Sequence, residues 1–131
     1  MPRPDLVIAG GGPVGLATAL YAARAGLEVV VREPRPGPVD KACGEGLMPG
    51  AVSDLLDLGV DPAGHRIAGI AYVDGSLRVE TAFRHGDGRG VRRTVLHSAL
   101  HDAVVLAGVK IESRPVEKVA NRGTLSVQTG F

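Results

Sequence analysis

The strongest candidate for chemistry in this sequence is a glycine-rich turn near the start of the chain. Residues 10–15 read Gly-Gly-Gly-Pro-Val-Gly, which is the pattern G-x-G-x-x-G. The first glycine of this pattern allows a tight turn, the second lets a pyrophosphate approach the backbone, and the third lets the next helix pack closely. The N-terminus of that helix offers unpaired N–H groups and a partial positive charge. The sequence therefore predicts a phosphate site formed by Gly10, Gly12, Pro13, Val14 and Gly15.

An acidic residue stands where a dinucleotide site of this kind requires one. Glu33 follows Gly15 by 18 positions, close to the spacing of about 20 residues that is typical of such sites. Its carboxylate can accept hydrogen bonds from both hydroxyls of an adenosine ribose. The same charge would repel a 2′-phosphate, so NADP fits this site poorly. Arg32 is unusual at the end of a buried strand, and we expect it to reach solvent or a partner.

Apolar periodicity predicts the elements that position these residues. Residues 5–9 and 27–31 are predicted to be buried strands, parallel to each other, with a helix over residues 13–25 between them. The remaining predictions are helices over 50–58 and 94–107, strands over 67–73 and 76–83 around an Asp74-Gly75 turn, a loop over 85–90, a strand over 109–112, and a hairpin of 116–120 and 124–129 around residues 121–123.

Composition excludes several classes of protein. The chain has 131 residues, 15 basic and 14 acidic groups and 3% aromatic residues, so neither net charge nor stacking side chains indicate a nucleic-acid partner. A single cysteine excludes an internal disulfide and a multi-cysteine zinc site. Glycines interrupt the apolar N-terminal stretch, so we expect no signal peptide or transmembrane segment and a cytoplasmic location.

The histidines do not suggest a metal site. Only His97 and His101 stand four residues apart, and no third ligand accompanies them. We therefore predict no metal and expect these two residues to lie on a solvated helix face.

Three segments together resemble a known superfamily. The stretch from Gly15 to Glu33 resembles the longer fingerprint of FAD-binding proteins of the glutathione-reductase type. Residues 40–49 resemble the Cys-Gly-(Asp/Glu)-Gly-Leu loop of the geranylgeranyl reductase family, and residues 93–100 resemble the R-x-x-(L/F)-(D/H)-x-x-L helix start of p-hydroxybenzoate hydroxylase-like flavoproteins. The resemblance implies an α/β fold, a Rossmann-like FAD-binding domain of the glutathione-reductase type with an additional small β-hairpin or β-sheet element.

The resemblance also implies where FAD is held. The three motif glycines would bind its pyrophosphate and Glu33 its adenosine ribose. Arg93 would reach the pyrophosphate or the ribityl chain, a charge-assisted contact that suits a dianionic group. Arg92 is the other candidate for this contact, and Arg93 could instead be an ordinary arginine at a helix start.

The loop of residues 43–46 would lie along the cofactor toward the flavin ring. Cys43 and Gly44 are therefore predicted to bind the cofactor, and Cys43 is the candidate catalytic residue. The alternative is that Cys43 is a small buried thiol that serves only packing, because thiol reactivity depends on pKa and exposure. Glu45 is a weaker candidate for a proton donor.

The function that the resemblance implies is that of an FAD-dependent oxidoreductase. We expect a monooxygenase that hydroxylates an organic substrate with NAD(P)H and O₂. The alternatives are a flavin-dependent prenyl-chain reductase, a non-catalytic nucleotide-binding fragment and an NAD-dependent dehydrogenase. Superfamily members are much longer, so residues 1–131 are expected to be the N-terminal portion of an FAD-binding domain. The second FAD motif and the substrate domain would be absent, and an open sheet edge would favour self-association.

Overall fold

The structure is a computed structural model that describes residues 3–121 and 123–128. Within these residues the chain forms three helices, α1 (Pro13–Arg24), α2 (Pro49–Asp57) and α3 (Arg93–Leu106). The strands in the same residues are β1 (Leu6–Ala9), β2 (Val29–Arg32), β3 (Gly46–Leu47), β4 (His65–Ile67), β5 (Gly69–Asp74), β6 (Leu77–Ala82), β7 (Gly88–Gly90), β8 (Lys110–Glu112), β9 (Lys118–Asn121) and β10 (Leu125–Gln128).

A parallel sheet of β1, β2 and β8 is the base of the fold. The strands lie in the order β1-β2-β8, with Leu6 opposite Val29 and Val31 opposite Ile111. Apolar runs such as 29–31 suit strands that are covered by helices. The predicted strand–helix–strand opening is confirmed, with boundaries shifted by one or two residues. Because the strands are parallel, the turns after β1, β2 and β8 meet at one edge of the sheet.

The main core joins this sheet to α1 and α3, which pack against each other. Its most deeply buried side chains are Leu16 from α1, Val31 from β2, and Leu100 and Val104 from α3. Burying an aliphatic side chain of this size stabilises a fold by roughly 1.5–3 kcal/mol. The core therefore fixes α3 over the same sheet edge from which the glycine turn leaves.

Arg32 finds its partner across the sheet. It lies opposite Glu112 on the neighbouring strand, and its Nε donates to Glu112 Oε2 at 3.1 Å. Both side chains are largely shielded from solvent, at 18% and 15% exposure. The arginine at the end of β2 is therefore neutralised by an ion pair, as its position required. Lys110 and Arg114 also approach Glu112 and, with Arg32, hold the pKa of that carboxyl below its usual range.

Two predictions in the middle of the chain were wrong. Residues 85–90 were expected to be a loop, but Gly88–Gly90 forms β7, the central strand of the antiparallel sheet β3-β7-β4. Residues 67–73 were expected to be one strand, but the chain leaves this sheet after Ile67, and Gly69 begins a hairpin instead. Two glycines allow close backbone contacts here. A Cβ on Gly69 would overlap the carbonyl oxygen of Thr81, and a Cβ on Gly88 would overlap that of Leu47.

The two predicted hairpins are present. In the β5–β6 hairpin Asp74 pairs with Leu77, so the turn residues are Gly75 and Ser76, one position later than predicted. The β9–β10 hairpin pairs Asn121 with Leu125. Arg122 and Thr129, which the prediction included, lie outside the described residues. No helix in the described part of the chain is both long and apolar enough to cross a membrane.

We predict opposite effects for two helical glycines. A Cβ at Gly15 would overlap the carbonyl oxygen of Gly10, whereas a Cβ at Gly50 in α2 meets nothing within 4 Å. Gly15→Ala should therefore lower the free energy of unfolding by about 1–3 kcal/mol. Gly50→Ala should raise it by about 0.5–1 kcal/mol because alanine is the better helix former. Urea unfolding of both variants measures the difference; equal effects would contradict the close packing of the turn.

Candidate functional site

The glycine turn joins the end of β1 to the start of α1. Gly10 has a φ of +108°, which favours glycine, and Gly12 is the extended N-cap residue of α1. A Cβ added at Gly12 would meet only the Nη2 of Arg93, at 3.9 Å. Gly12 therefore faces open space with a guanidinium beside it.

Backbone donors point into the site from this turn. In the described residues the N–H groups of Gly12, Val14 and Gly15 donate to no acceptor, and the first bond of the helix runs from Leu16 N–H to Gly12 O at 2.9 Å. Pro13 has no N–H to satisfy. Free N–H groups at a helix N-terminus can bind an anion, and the motif predicts a phosphate at this position.

Arg93 is the arginine that reaches the turn. It is the first residue of α3 and is half-buried, whereas Arg92 is exposed. The Nε of Arg93 is buried and has no hydrogen-bond partner among residues 3–121 and 123–128. A buried donor without an acceptor costs about 1–3 kcal/mol. An anion that bridges Gly12 and Arg93 would satisfy both groups, so these residues fit a pyrophosphate.

Glu33 is a buried carboxylate that is held by two neighbours. It is 7% exposed, and its Oε2 accepts the N–H of Gly11 at 2.9 Å. Arg35 donates its backbone N–H and its Nε to Oε1, at 2.9 and 2.8 Å, and its Nη2 to Oε2 at 2.8 Å. Each carboxylate oxygen thus accepts two hydrogen bonds, which fills its lone pairs.

The electrostatics of Glu33 follow from these contacts. Hydrogen bonds from the Arg35 side chain lower the pKa of Glu33 to about 2, against the opposing effect of burial and with help from the N–H groups of Arg35 and Gly11. The carboxylate is therefore ionised at neutral pH. Because Arg35 is half exposed, its guanidinium can move away from Glu33 without unpacking the core.

Two cavities share the Glu33–Arg35 pair in their walls. One, of about 430 Å³, is also lined by Gly11 and His97. The other, of about 300 Å³, is also lined by Gly10 and by residues 115–116, which follow β8. Space for a ligand therefore lies beside the glycine turn and beside the carboxylate.

The loop of residues 43–46 reaches the same place. Glu45 accepts the N–H of Arg93 on Oε1 at 3.1 Å and the N–H of Val91 on its backbone oxygen at 2.7 Å. Glu45 thus caps α3, and its φ of +55° is unusual for a residue with a side chain. Cys43 is exposed, so the alternative of a buried packing thiol was wrong, and its Sγ accepts the N–H of Glu45 at 3.3 Å.

The structure corrects one prediction at this site and adds one residue to it. His97 was expected on a solvated helix face, but it is 3% exposed and its Nε2 lies 2.8 Å from Gly11 O. The signal was its spacing: residues 96, 97, 100 and 104 form the buried face of α3. Arg35 is the added residue: it lies two positions after Glu33 and folds back onto it.

No family model matches this chain. A menaquinone reductase of Mycolicibacterium smegmatis is 53% identical over 58 residues, which cover 44% of this chain and 14% of that protein. A menaquinone reductase of Mycobacterium tuberculosis is 50% identical over 56 residues, again 14% of its length. The match thus spans about a seventh of the length of these curated relatives.

Solved structures match almost the whole chain. A geranylgeranyl bacteriochlorophyll reductase-like protein from Thermoplasma acidophilum has a TM-score of 0.81 and 24% identity, over 96% of this chain and 34% of its own. The p-nitrophenol 4-monooxygenase of Pseudomonas putida has a TM-score of 0.81 and 21% identity, over 95% and 35%. A flavoprotein/dehydrogenase from Cytophaga hutchinsonii has a TM-score of 0.81 and 22% identity, over 95% and 34%.

The chain has the fold that these three solved proteins share. The resemblance to the p-hydroxybenzoate hydroxylase-like and geranylgeranyl reductase proteins is thereby confirmed at the level of the fold. This chain corresponds to about a third of each solved chain.

We predict that the charge of Glu33 stabilises the fold in a pH-dependent way. Its pKa is about 2 when the chain is folded, against an ordinary value of 4.5, so its contribution is complete above pH 4.5 and disappears as the pH falls toward 2. Glu33→Gln should cost up to about 3 kcal/mol at pH 7 and much less near pH 2–3. Urea unfolding at both pH values gives the comparison.

Glu80→Gln is the matched control for that measurement. Glu80 is an exposed carboxylate on β6 that pairs with Arg78, and exposed pairs contribute little to stability. A Glu33→Gln cost that stays the same between pH 7 and pH 2–3 would contradict the assignment.

Proposed function

We propose that this chain binds FAD as the cofactor-binding portion of a flavin-dependent oxidoreductase, with residues 1–131 as part of an FAD-binding domain of the glutathione-reductase type. The observation that carries the proposal is the convergence of three segments on one anion site. Arg93 links the other two segments: its Nη2 lies 3.9 Å from where a Cβ on Gly12 would stand, and its backbone N–H donates to Glu45 Oε1 at 3.1 Å. A flavoprotein/dehydrogenase and a flavin-dependent brominase share the fold that brings these three segments together.

Each residue has a defined task in this proposal. Gly10 shapes the turn, Gly12 leaves room for the pyrophosphate, and the N–H groups of Val14 and Gly15 face its charge. Pro13 starts the helix without adding a donor that needs an acceptor. Arg93 neutralises the charge of the phosphates through a charge-assisted hydrogen bond.

The ribose site is supported by Glu33 but requires a rearrangement. Both oxygens of Glu33 already accept two hydrogen bonds, three of the four from Arg35. The ribose hydroxyls can bind Glu33 only after the guanidinium of Arg35 has moved away from the carboxylate. Arg35 is half exposed, so its side chain has room to move. Arg35 also offsets the charge that would repel a 2′-phosphate, so the exclusion of NADP is weaker than the carboxylate alone implies.

The chemistry of the reaction would come from the bound flavin, which transfers hydride or activates oxygen. The chain itself would bind and orient the cofactor. Cys43 and Gly44 are proposed to lie along it toward the ring, in the exposed loop before Glu45. Glu45 is occupied as the cap of α3, which favours a positioning task over proton donation.

The sequence comparison favours reduction over hydroxylation as the reaction. The menaquinone reductases are 53% and 50% identical to this chain over 58 and 56 residues. Over almost the whole chain, the reductase-like structure is 24% identical and the monooxygenase 21%. We therefore place the reductase alternative first, with a quinone or a prenyl chain as substrate class and NAD(P)H as the source of electrons. The monooxygenase remains the second candidate, because its TM-score of 0.81 equals that of the reductase-like protein.

A competition titration tests the cofactor assignment. The chain is titrated with FAD while flavin fluorescence is followed, and NAD is added as competitor. We expect FAD to bind and NAD to displace it poorly, because the segments at Glu45 and Arg93 extend the site beyond an adenosine pocket. Tighter binding of NAD than of FAD would contradict the proposal and favour the dehydrogenase alternative.

We predict that Gly12→Val weakens FAD binding at least tenfold, about 1.4 kcal/mol. A branched Cβ there projects toward Arg93, into the space assigned to the pyrophosphate. The fold should persist, because Gly12 has an extended backbone that valine adopts readily. Fluorescence titration and thermal unfolding are measured on one preparation, with Gly50→Ala as control. A folded variant that binds FAD normally would disprove the pyrophosphate assignment.

Cys43→Ser tests whether Cys43 takes part in the chemistry at the flavin. Because Cys43 is exposed, the serine hydroxyl stays solvated, can accept the N–H of Glu45, and should leave the melting temperature and FAD affinity unchanged. In the complete enzyme, turnover per bound flavin should change if the side chain lies beside the reacting ring. Unchanged turnover with full flavin occupancy would exclude Cys43 as a catalytic residue.

A further inference from the structure

We propose that His97 is a positioning residue for the pyrophosphate: its Nε2–H holds the peptide between Gly11 and Gly12 in the orientation that presents the Gly12 N–H to an anion. This inference rests on the proposed FAD binding and deepens it. It assigns to α3 a second task besides supplying Arg93.

The contact fixes the protonation pattern of the imidazole. His97 is 3% exposed, and its Nε2 lies 2.8 Å from the carbonyl oxygen of Gly11. A carbonyl can only accept a hydrogen bond, so Nε2 carries a proton. In the neutral ring Nδ1 is then an acceptor, and it is buried without a partner among the described residues. Leucine would fill the same space without that cost, so the hydrogen bond to Gly11 is what a histidine adds.

The geometry of the peptide unit carries this effect to the anion site. The described residues contain no cis peptide bond, and in a trans peptide the C=O and the following N–H point in opposite directions. Since His97 holds the carbonyl of Gly11, the N–H of Gly12 is turned away from the imidazole. That N–H donates to no acceptor in the described chain, which leaves it free for a ligand.

A second hydrogen bond fixes the other side of Gly11. Its N–H donates to Oε2 of Glu33 at 2.9 Å. Gly10, Gly11 and Gly12 are three glycines in a row, and glycine has more conformational freedom than any other residue. Holding both peptide units of Gly11 removes much of this freedom before the ligand arrives. Preorganisation of this kind raises affinity by lowering the entropy lost on binding.

Three variants test the proposal through FAD affinity. His97→Leu keeps the volume but cannot donate, and we expect about tenfold weaker binding of FAD with a retained fold, since about 1.4 kcal/mol corresponds to tenfold. His97→Gln places an amide N–H near the position of Nε2 and should restore most of the affinity. His85→Gln changes an exposed histidine that lines neither cavity beside Glu33, and it should bind like the unchanged chain. If His97→Leu does not fold, His97→Asn, whose shorter amide does not reach Gly11, replaces it.

The result that overturns the inference is a folded His97→Leu or His97→Asn that binds FAD as tightly as the unchanged chain, or a His97→Gln that restores nothing. Failure of the unchanged chain to bind FAD would overturn the proposed function and this inference together. A ligand-free readout distinguishes the two: ¹⁵N NMR of the imidazole should show a protonated Nε2 in His97. A neutral ring protonated on Nδ1 would overturn the inference even where FAD binds normally.

Discussion

The candidate site depends on how one residue, Gly11, is held. Its N–H donates to Glu33 and its carbonyl oxygen accepts a hydrogen bond from His97. The end of β2 and the second turn of α3 therefore both contact the turn after β1. These partners lie 22 and 86 residues away along the chain. Only the parallel order β1-β2-β8, with α3 packed against α1, brings them together. The packing of the whole sheet therefore fixes the conformation of the turn at Gly11.

The parts of the site that the sequence predicted are those with local causes. Gly10 and Gly15 are required by the turn itself, through a positive φ and through contact with a backbone carbonyl. Glu33 follows from the length of one strand–helix–strand unit. Arg93 is different, because the resemblance of residues 93–100 to a superfamily motif implied it, and the structure places it at the first residue of α3. For the two glycines and for Glu33, a short stretch of sequence contains the physical reason.

The parts that the sequence did not predict depend on distant partners. β7 consists of Gly88, Arg89 and Gly90, and only pairing with β3 and β4 makes it a strand. His97 is polar, and its burial becomes favourable only because Gly11 supplies an acceptor. Arg35 lies in an exposed, proline-rich segment with no periodicity, and its fold-back onto Glu33 becomes apparent only in three dimensions.

The most direct test of the pyrophosphate site is ¹⁵N–¹H NMR of the chain during titration with ADP, the part of FAD that carries the pyrophosphate. The chain of 131 residues is small enough for every backbone amide to be followed. We expect the resonances of the Gly12, Val14 and Gly15 amides and of the Arg93 side-chain Nε–H to shift most. Saturable binding that leaves these resonances unchanged, or no binding at all, would contradict it.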